Sequence, residues 1–285
     1  MAIFYNQATL SYAGNVVNSN TTEAELLSGL ELTKTAVTGS YSAGSEVVYA
    51  VTLSNMGAAP YSSLTVTDDL GAYALPSGAT VVPLTYVTGS MLYYLNGALQ
   101  PTPTVSATGN LAIEGINLPP NSTATFIYAT KSNEFAPIST GAVITNTVTT
   151  NGGVGIGEIT ASATVNVLEA PELTIAKAVC PSVINDNERV TYTIIVQNLG
   201  NVPINATDGV VIRDTFNPVL SELTVELNGT ALEEGTGYTY DTSSGEFATI
   251  DGVITVPAAT YTQDLVTGTI TTTPGVTVLT VTGRV

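Results

Sequence analysis

Three residue types recur at matching places in this chain, and together they can make an amide bond. Lys34, Asp68 and Asn146 form one set. Lys177 and Asp214 repeat the first two members, with no Asn at the matching place after them. Asn6 stands near the start, with neither Lys nor Asp before it. A neutral lysine amine can attack the side-chain carbonyl of asparagine and expel ammonia. A protonated aspartate between them donates to the carbonyl oxygen and carries the proton to the leaving nitrogen. Burial favours both required states, because it penalises the charged forms.

Alternation puts all six residues on apolar faces. Residues two apart in a strand share a face. Lys34 lies with Leu30, Leu32 and Ala36, and Lys177 with Leu173, Ile175 and Val179. Asp68 lies with Leu64, Val66 and Leu70, and Asp214 with Val210, Ile212 and Phe216. Asn146 lies with Ile144 and Val148, and Asn6 with Phe4, Ala8 and Leu10. A charge buried there is costly unless paired or neutralised. Two plainer arrangements compete: a Lys whose stem packs while its amine reaches water, or a buried hydrogen-bonded trio without covalent chemistry.

The elements that position these residues form two repeats. Leu30–Lys34 matches Leu173–Lys177, and Val48–Val51 matches Thr191–Ile194. Asn55-Met56-Gly57 matches Asn198-Leu199-Gly200, and Pro60 matches Pro203. Leu64–Asp68 matches Val210–Asp214, and Leu118-Pro119 matches Val256-Pro257. Leu95-Asn96-Gly97 matches Leu227-Asn228-Gly229, and Asn-Gly between strands is a strong hairpin signal. The second repeat ends in one strand, Val276 to Val285, which aligns with the strand around Phe126 or, alternatively, with Val281 on Asn146. It therefore lacks the Asn and the hairpin that close the first repeat. Residues 1 to 28 contain both: their alternating, Thr-rich run, Gly turn and second alternating stretch match Val143 to Leu168, with Asn6 on Asn146.

The expected fold is all-β: two tandem immunoglobulin-like sandwiches plus an N-terminal donor strand. Residues 1–28 are an arm, 29–168 a complete domain, and 169–285 a domain completed by the arm of a neighbouring subunit. The pattern L-x-L-x-K-x-V, V-x-Y-x-V-x-x-x-N-x-G-x-x-P, L-x-V-x-D and I-x-N resembles the DUF11 repeat of bacterial and archaeal surface proteins. That resemblance implies an extracellular sandwich of stalks, fibres and envelopes, with no enzymatic turnover. The departure from it is the missing Asn of the second repeat.

Composition narrows the alternatives. Six Lys plus Arg face 23 Asp plus Glu, a net charge of -17, which disfavours nucleic acid and anionic membranes as partners. The chain has no His, so the commonest general base is absent. No apolar run approaches the length of a membrane span, and no signal peptide is apparent at MAIFYNQ. A single Cys, Cys180, fits a buried or half-buried apolar position. Asn185-Asp186-Asn187-Glu188 fits a solvated turn better than a calcium loop. Asp68-Asp69 is a poor hydrolytic pair, because neighbours in a strand point to opposite faces. Asn20, Asn121, Asn205 and Asn228 begin N-x-S/T triplets, relevant only where the cell glycosylates them.

The sequence thus points to the subunit of an extracellular filament on a cell or spore surface, binding identical subunits and needing no cofactor or metal. Lys34–Asn146 is the expected bond within a subunit and Lys177–Asn6 the expected bond between subunits, with Asp68 and Asp214 as proton shuttles. The competing expectations are a non-polymerising stalk or adhesin module, an enzyme, and a monomer whose own arm closes its second domain.

Overall fold

The structure is a computed structural model that describes residues 2–26, 29–151, 157–185 and 188–285. It is nearly all strand; the only helix among the described residues is one 3-10 turn, Ala206–Asp208. No helix among them is long and apolar enough to cross a membrane. The chain divides into two compact units. The first holds Met1–Pro137, Ala142–Val167 and Leu265–Thr269, and the second holds Ile138–Gly141, Leu168–Asp264 and Ile270–Val285.

The arm contains β1 (Ala2–Asn6), β2 (Thr9–Tyr12), β3 (Asn15–Asn18) and β4 (Thr22–Leu26). β1 pairs with β4 and β2 with β3, both antiparallel, so the arm is a hairpin. Every described side chain from Ile3 to Ala24 is exposed. The alternation expected from Phe4 through Leu10 is interrupted at Gln7 and Ala8. Asn6 faces Thr22 and Thr9 faces Asn18, so three residues on one strand oppose two on the other. The cause is local. The Ser19 hydroxyl accepts from the Ala8 amide at 2.9 Å, and the Gln7 side-chain amide donates to the Ser19 carbonyl at 2.8 Å. These bonds compete with the ladder and produce a β-bulge.

The rest of the first unit begins with β5 (Leu30–Ala36), β6 (Ser40–Tyr41), β7 (Glu46–Asn55) and β8 (Tyr61–Asp68). Four short strands follow: β9 (Tyr73–Ala74), β10 (Thr80–Val81), β11 (Leu84–Tyr86) and β12 (Leu92–Leu95). Then come β13 (Ala98–Gln100), β14 (Thr104–Thr108), β15 (Asn110–Leu118) and β16 (Ser122–Ser132). β17 (Val143–Asn151) and β18 (Glu158–Val167) close the unit. One sheet runs β13-β12-β16-β7-β5 and the other β14-β15-β8-β17-β18-β6. The alternate residues Val47, Tyr49, Val51 and Leu53 of β7 are wholly buried between them. Such β-branched and aromatic runs suit a pleated surface with one apolar face.

The second unit contains β19 (Leu173–Cys180), β20 (Arg189–Asn198), β21 (Arg213–Thr215), β22 (Ser221–Leu227) and β23 (Thr230–Leu232). It continues through β24 (Tyr238–Tyr240), β25 (Glu246–Thr249), β26 (Thr260–Gln263), β27 (Ile270–Thr273) and β28 (Gly275–Arg284). Its larger sheet runs β19-β20-β28-β22-β23, strand for strand the order of the first unit's β5 sheet. The alignment of the last strand with the one around Phe126 is therefore realised: β28 takes the place of β16. The Asn-Gly turns are realised as well. Asn96-Gly97 and Asn228-Gly229 both have positive φ and close the β12–β13 and β22–β23 hairpins.

The opposing sheets differ. In the second unit the order is β21-β25-β24, matching β8-β15-β14, and it stops there. Among the described residues, nothing in this unit takes the places of β17, β18 and β6. In the first unit β18 packs against β5, and Leu30, Leu32 and Lys34 are buried. All eight residues of β19 are exposed, including Ile175 at 65% and Leu173 at 41%. The expected burial of Cys180 fails for the same reason: it lies on this uncovered strand and is exposed.

Candidate cross-linking sites

Three strands bring the first set together. β5 carries Lys34, the end of β8 carries Asp68, and β17 carries Asn146; all three residues are buried. β17 runs beside β8 with Val148 opposite Asp68. Lys34 Nζ donates to Asp68 Oδ2 at 2.6 Å, and Asn146 Nδ2 reaches the same oxygen at 3.4 Å. The amine, the carboxamide and the acid thus converge on one oxygen atom. The other half of the carboxamide is also held: the Gly71 N–H donates to Asn146 Oδ1 at 3.2 Å. Asp68 Oδ1 accepts from the Leu70 N–H at 2.7 Å.

Burial lowers the Lys34 pKa to about 8, against the opposing pull of Asp68 and, more weakly, Asp69. A usable fraction of the amine is therefore neutral near physiological pH, where an ordinary lysine is almost wholly charged. The Tyr49 ring lies 4.6 Å from Lys34 Nζ. Burial, then the Asp68 charge, pushes the Tyr128 hydroxyl well above its ordinary range, so it remains a donor. That hydroxyl bonds Asp68 Oδ2.

The repeat pattern contains Tyr49 without giving it a role, and Tyr128 and Gly71 lie outside it. Tyr49 has a counterpart in Tyr192, but Tyr128 has none: Val281 stands opposite Tyr192 where Tyr128 stands opposite Tyr49. The remaining signal was a Tyr on the inward face of a strand, in step with Ala124 and Phe126.

The second set is assembled but open. Lys177 Nζ and Asp214 Oδ2 form an ion pair, with the Tyr192 ring 4.5 Å and the Phe216 ring 5.2 Å from the amine. The Lys34 and Asp68 side chains are 0% and 1% exposed, whereas those of Lys177 and Asp214 are 40% and 16% exposed. The shared apolar face expected for Lys177 is real, but no strand among the described residues covers it. Periodicity shows which residues share a face and not whether another layer lies over it. Asn6 is exposed on β1. Of the six residues, three therefore meet in one buried site, two meet in an open one, and Asn6 stands in water.

The other candidates have ordinary roles. Asp69 Oδ1 accepts from the Gly71 and Thr147 N–H groups and is a structural acceptor. Asn185 and Glu188 bond each other, while Asp186 and Asn187 lie outside the described residues. Asn20, Asn121, Asn205 and Asn228 are all exposed.

No family model matches the chain, and no curated protein matches it. The likeness to the DUF11 repeat thus rests on the residues quoted above. Solved structures resemble the fold at low score. The major pilin subunit of Bacillus cereus matches 94% of this chain and 70% of its own, at 10% identity and a TM-score of 0.39. The pilus backbone protein of Streptococcus pneumoniae matches 86% of this chain at 10% identity and a TM-score of 0.35; this chain spans 55% of that one. A C-terminal fragment of a major pilin of Streptococcus agalactiae matches 79% of this chain and 78% of its own, at 12% identity and a TM-score of 0.35. Likeness at this level carries no functional argument.

Proposed function

We propose that this chain is the subunit of an extracellular filament, joined head to tail by strand donation and locked by amide bonds. One observation carries the proposal. The same Lys–Asp pair is sealed in one unit and open in the other, and the difference is the β17–β18 hairpin. The arm matches that hairpin in sequence and is itself an exposed hairpin. Seated on the second unit of another copy, β1 would lie beside β21 as β17 lies beside β8. Main-chain pairing would supply affinity, and Phe4, Ala8 and Leu10 would supply register. A head-to-tail contact of this kind propagates into an open filament unless it closes as a ring.

The same chemistry serves both sites. The Lys amine attacks the Asn Cγ, an Nζ–Cγ amide forms and the Cγ–Nδ2 bond breaks; Asp delivers a proton to Nδ2, which leaves as ammonia, and takes back the proton that Nζ sheds. In the first unit the Gly71 N–H is aimed at the carbonyl oxygen on which negative charge develops. Lys34 would join Asn146 within the subunit, and Lys177 would join Asn6 of the neighbour. Each site reacts once, so the chain is no enzyme in the turnover sense.

Electron microscopy of purified protein, with and without residues 1 to 12, tests the assembly. The whole chain is expected to form filaments and the truncated chain to remain soluble and unpolymerised. Long filaments from the truncated chain would refute strand donation.

A further inference from the structure

The two sites differ in how their aspartates are satisfied. Asp68 Oδ2 receives the Lys34 amine, the Tyr128 hydroxyl and the Asn146 amide. Asp214 Oδ2 is a buried atom that meets the Lys177 ammonium as an ion pair and has no hydrogen-bond partner among the described residues. The cause is in the sequence. Val281 replaces Tyr128, and Phe216 stands two residues after Asp214, where Leu70 follows Asp68. Phe216 packs 5.0 Å from the Tyr192 ring and is itself buried. This aromatic filling has no hydroxyl, so it leaves the oxygen without the donor that the first unit provides.

Given the strand donation proposed above, we infer that Asn6 is the recognition residue of the junction as well as its reactant: its side-chain amide supplies the hydrogen bond that Asp214 Oδ2 lacks. The Asn6 side chain offers an amide N–H, as Asn146 Nδ2 does toward Asp68 Oδ2. The register brings it there. In the alignment Ala8 takes the place of Val148, whose partner is Asp68, so an arm whose bulge at Gln7 and Ala8 straightens on insertion would put Ala8 opposite Asp214 and Asn6 on the same face. In the first unit the equivalent amide is one donor of three and adds little discrimination. In the second it would join only the Lys177 ammonium, so an arm lacking it would leave the carboxylate oxygen with that ion pair alone. A strand slipped by one residue would present Tyr5 or Gln7 from the wrong face.

Two near-isosteric replacements test this without the amide bond. Asn6→Gln keeps a donor and Asn6→Met removes it; neither puts a carbonyl carbon at the place of the Asn6 Cγ, so both filaments should dissolve on boiling. The concentration of free subunit left after pelleting is expected to be about tenfold lower for Asn6→Gln than for Asn6→Met, the ordinary size of one buried hydrogen bond to a charged acceptor. In a chain carrying Val281→Tyr with Phe216→Leu, which transplants the first unit's donor, the gap should fall below about twofold. Asp214→Ala, which removes the oxygen, should close the gap without enlarging any core side chain. Equal values for Gln and Met in the wild-type acceptor would overturn the inference. A tenfold gap that survives both acceptor changes would overturn it too, as would failure of both chains to assemble where the wild type does. Absence of filaments from the wild type would overturn strand donation itself, which is a different failure.

Discussion

The same substitution made in the two units should have very different costs. Lys34→Met removes one partner from a pair whose side chains are 0% and 1% exposed, leaving a buried carboxylate with Tyr128, the Leu70 N–H and the long contact to the Asn146 amide but no cation. Breaking a buried pair in this way costs about 3–5 kcal/mol. At roughly 2–4 °C per kcal/mol for a unit of this size, the melting temperature should fall by about 10 °C. Lys177→Met removes the partner of a pair that water reaches, with side chains 40% and 16% exposed. An exposed pair contributes about 0–1 kcal/mol, which for the smaller second unit corresponds to a shift of at most about 5 °C. Scanning calorimetry is the assay. It is best run on chains that lack residues 1 to 12 and carry Asn146→Ala, so that neither polymerisation nor an internal amide bond contributes. Each Lys variant should move one transition. Equal shifts, or a larger shift for Lys177→Met, would refute the claim that the covering hairpin creates the difference.

Other outcomes follow from the same geometry. Filaments boiled in detergent should leave a ladder of covalent multimers; Asn6→Ala should still insert but lose the ladder, and Lys34→Ala should weaken the first unit while leaving it. The intact mass of the first unit should be one ammonia low, a loss that Asn146→Ala abolishes; an unchanged mass in folded wild type would leave only a hydrogen-bonded trio. In the Asn146→Ala chain, stability should depend on pH through Lys34. Its folded pKa of about 8 lies below the ordinary 10.5, so between those values the unfolded chain binds the extra proton and stability rises with pH. Above about pH 10 the raised pKa values of Tyr41, Tyr49 and Tyr128 reverse the trend, because the unfolded phenols ionise first. Urea melts that fall steadily from pH 7.5 to 9.5 would contradict this sign.

Much of this architecture was legible in the sequence because alternation and repetition are local signals. The Asn-Gly turns, the matched strands that begin at Leu30 and Leu173, and the shared inward faces of Lys34, Asp68 and Asn146 follow from period two and a repeat alignment. The arm's bulge does not, because it depends on Ser19 bonding across the hairpin to Ala8 and Gln7. Tyr128 was hidden because a comparison of repeats emphasises what they share, and Val281 occupies its place. The exposure of Lys177 was hidden because β19 reads like β5; what differs is a layer supplied by distant sequence.

Where Lys34 and Asn146 lie along the chain has a mechanical consequence. With the proposed bonds formed, a pull arriving from one neighbour enters at Asn6 and runs through β5 to Lys34. It crosses to Asn146, continues through β18 to Lys177, and leaves through the Asn6 of the next copy. Residues 35–145 hang beside that line as a loop closed by a covalent tie, and residues 178–285 branch from it at Lys177. Tension would then run along the strands of that covalent track and bypass the remaining strands of each sandwich, so such a fibre would yield by straightening its connecting segments before any core opened.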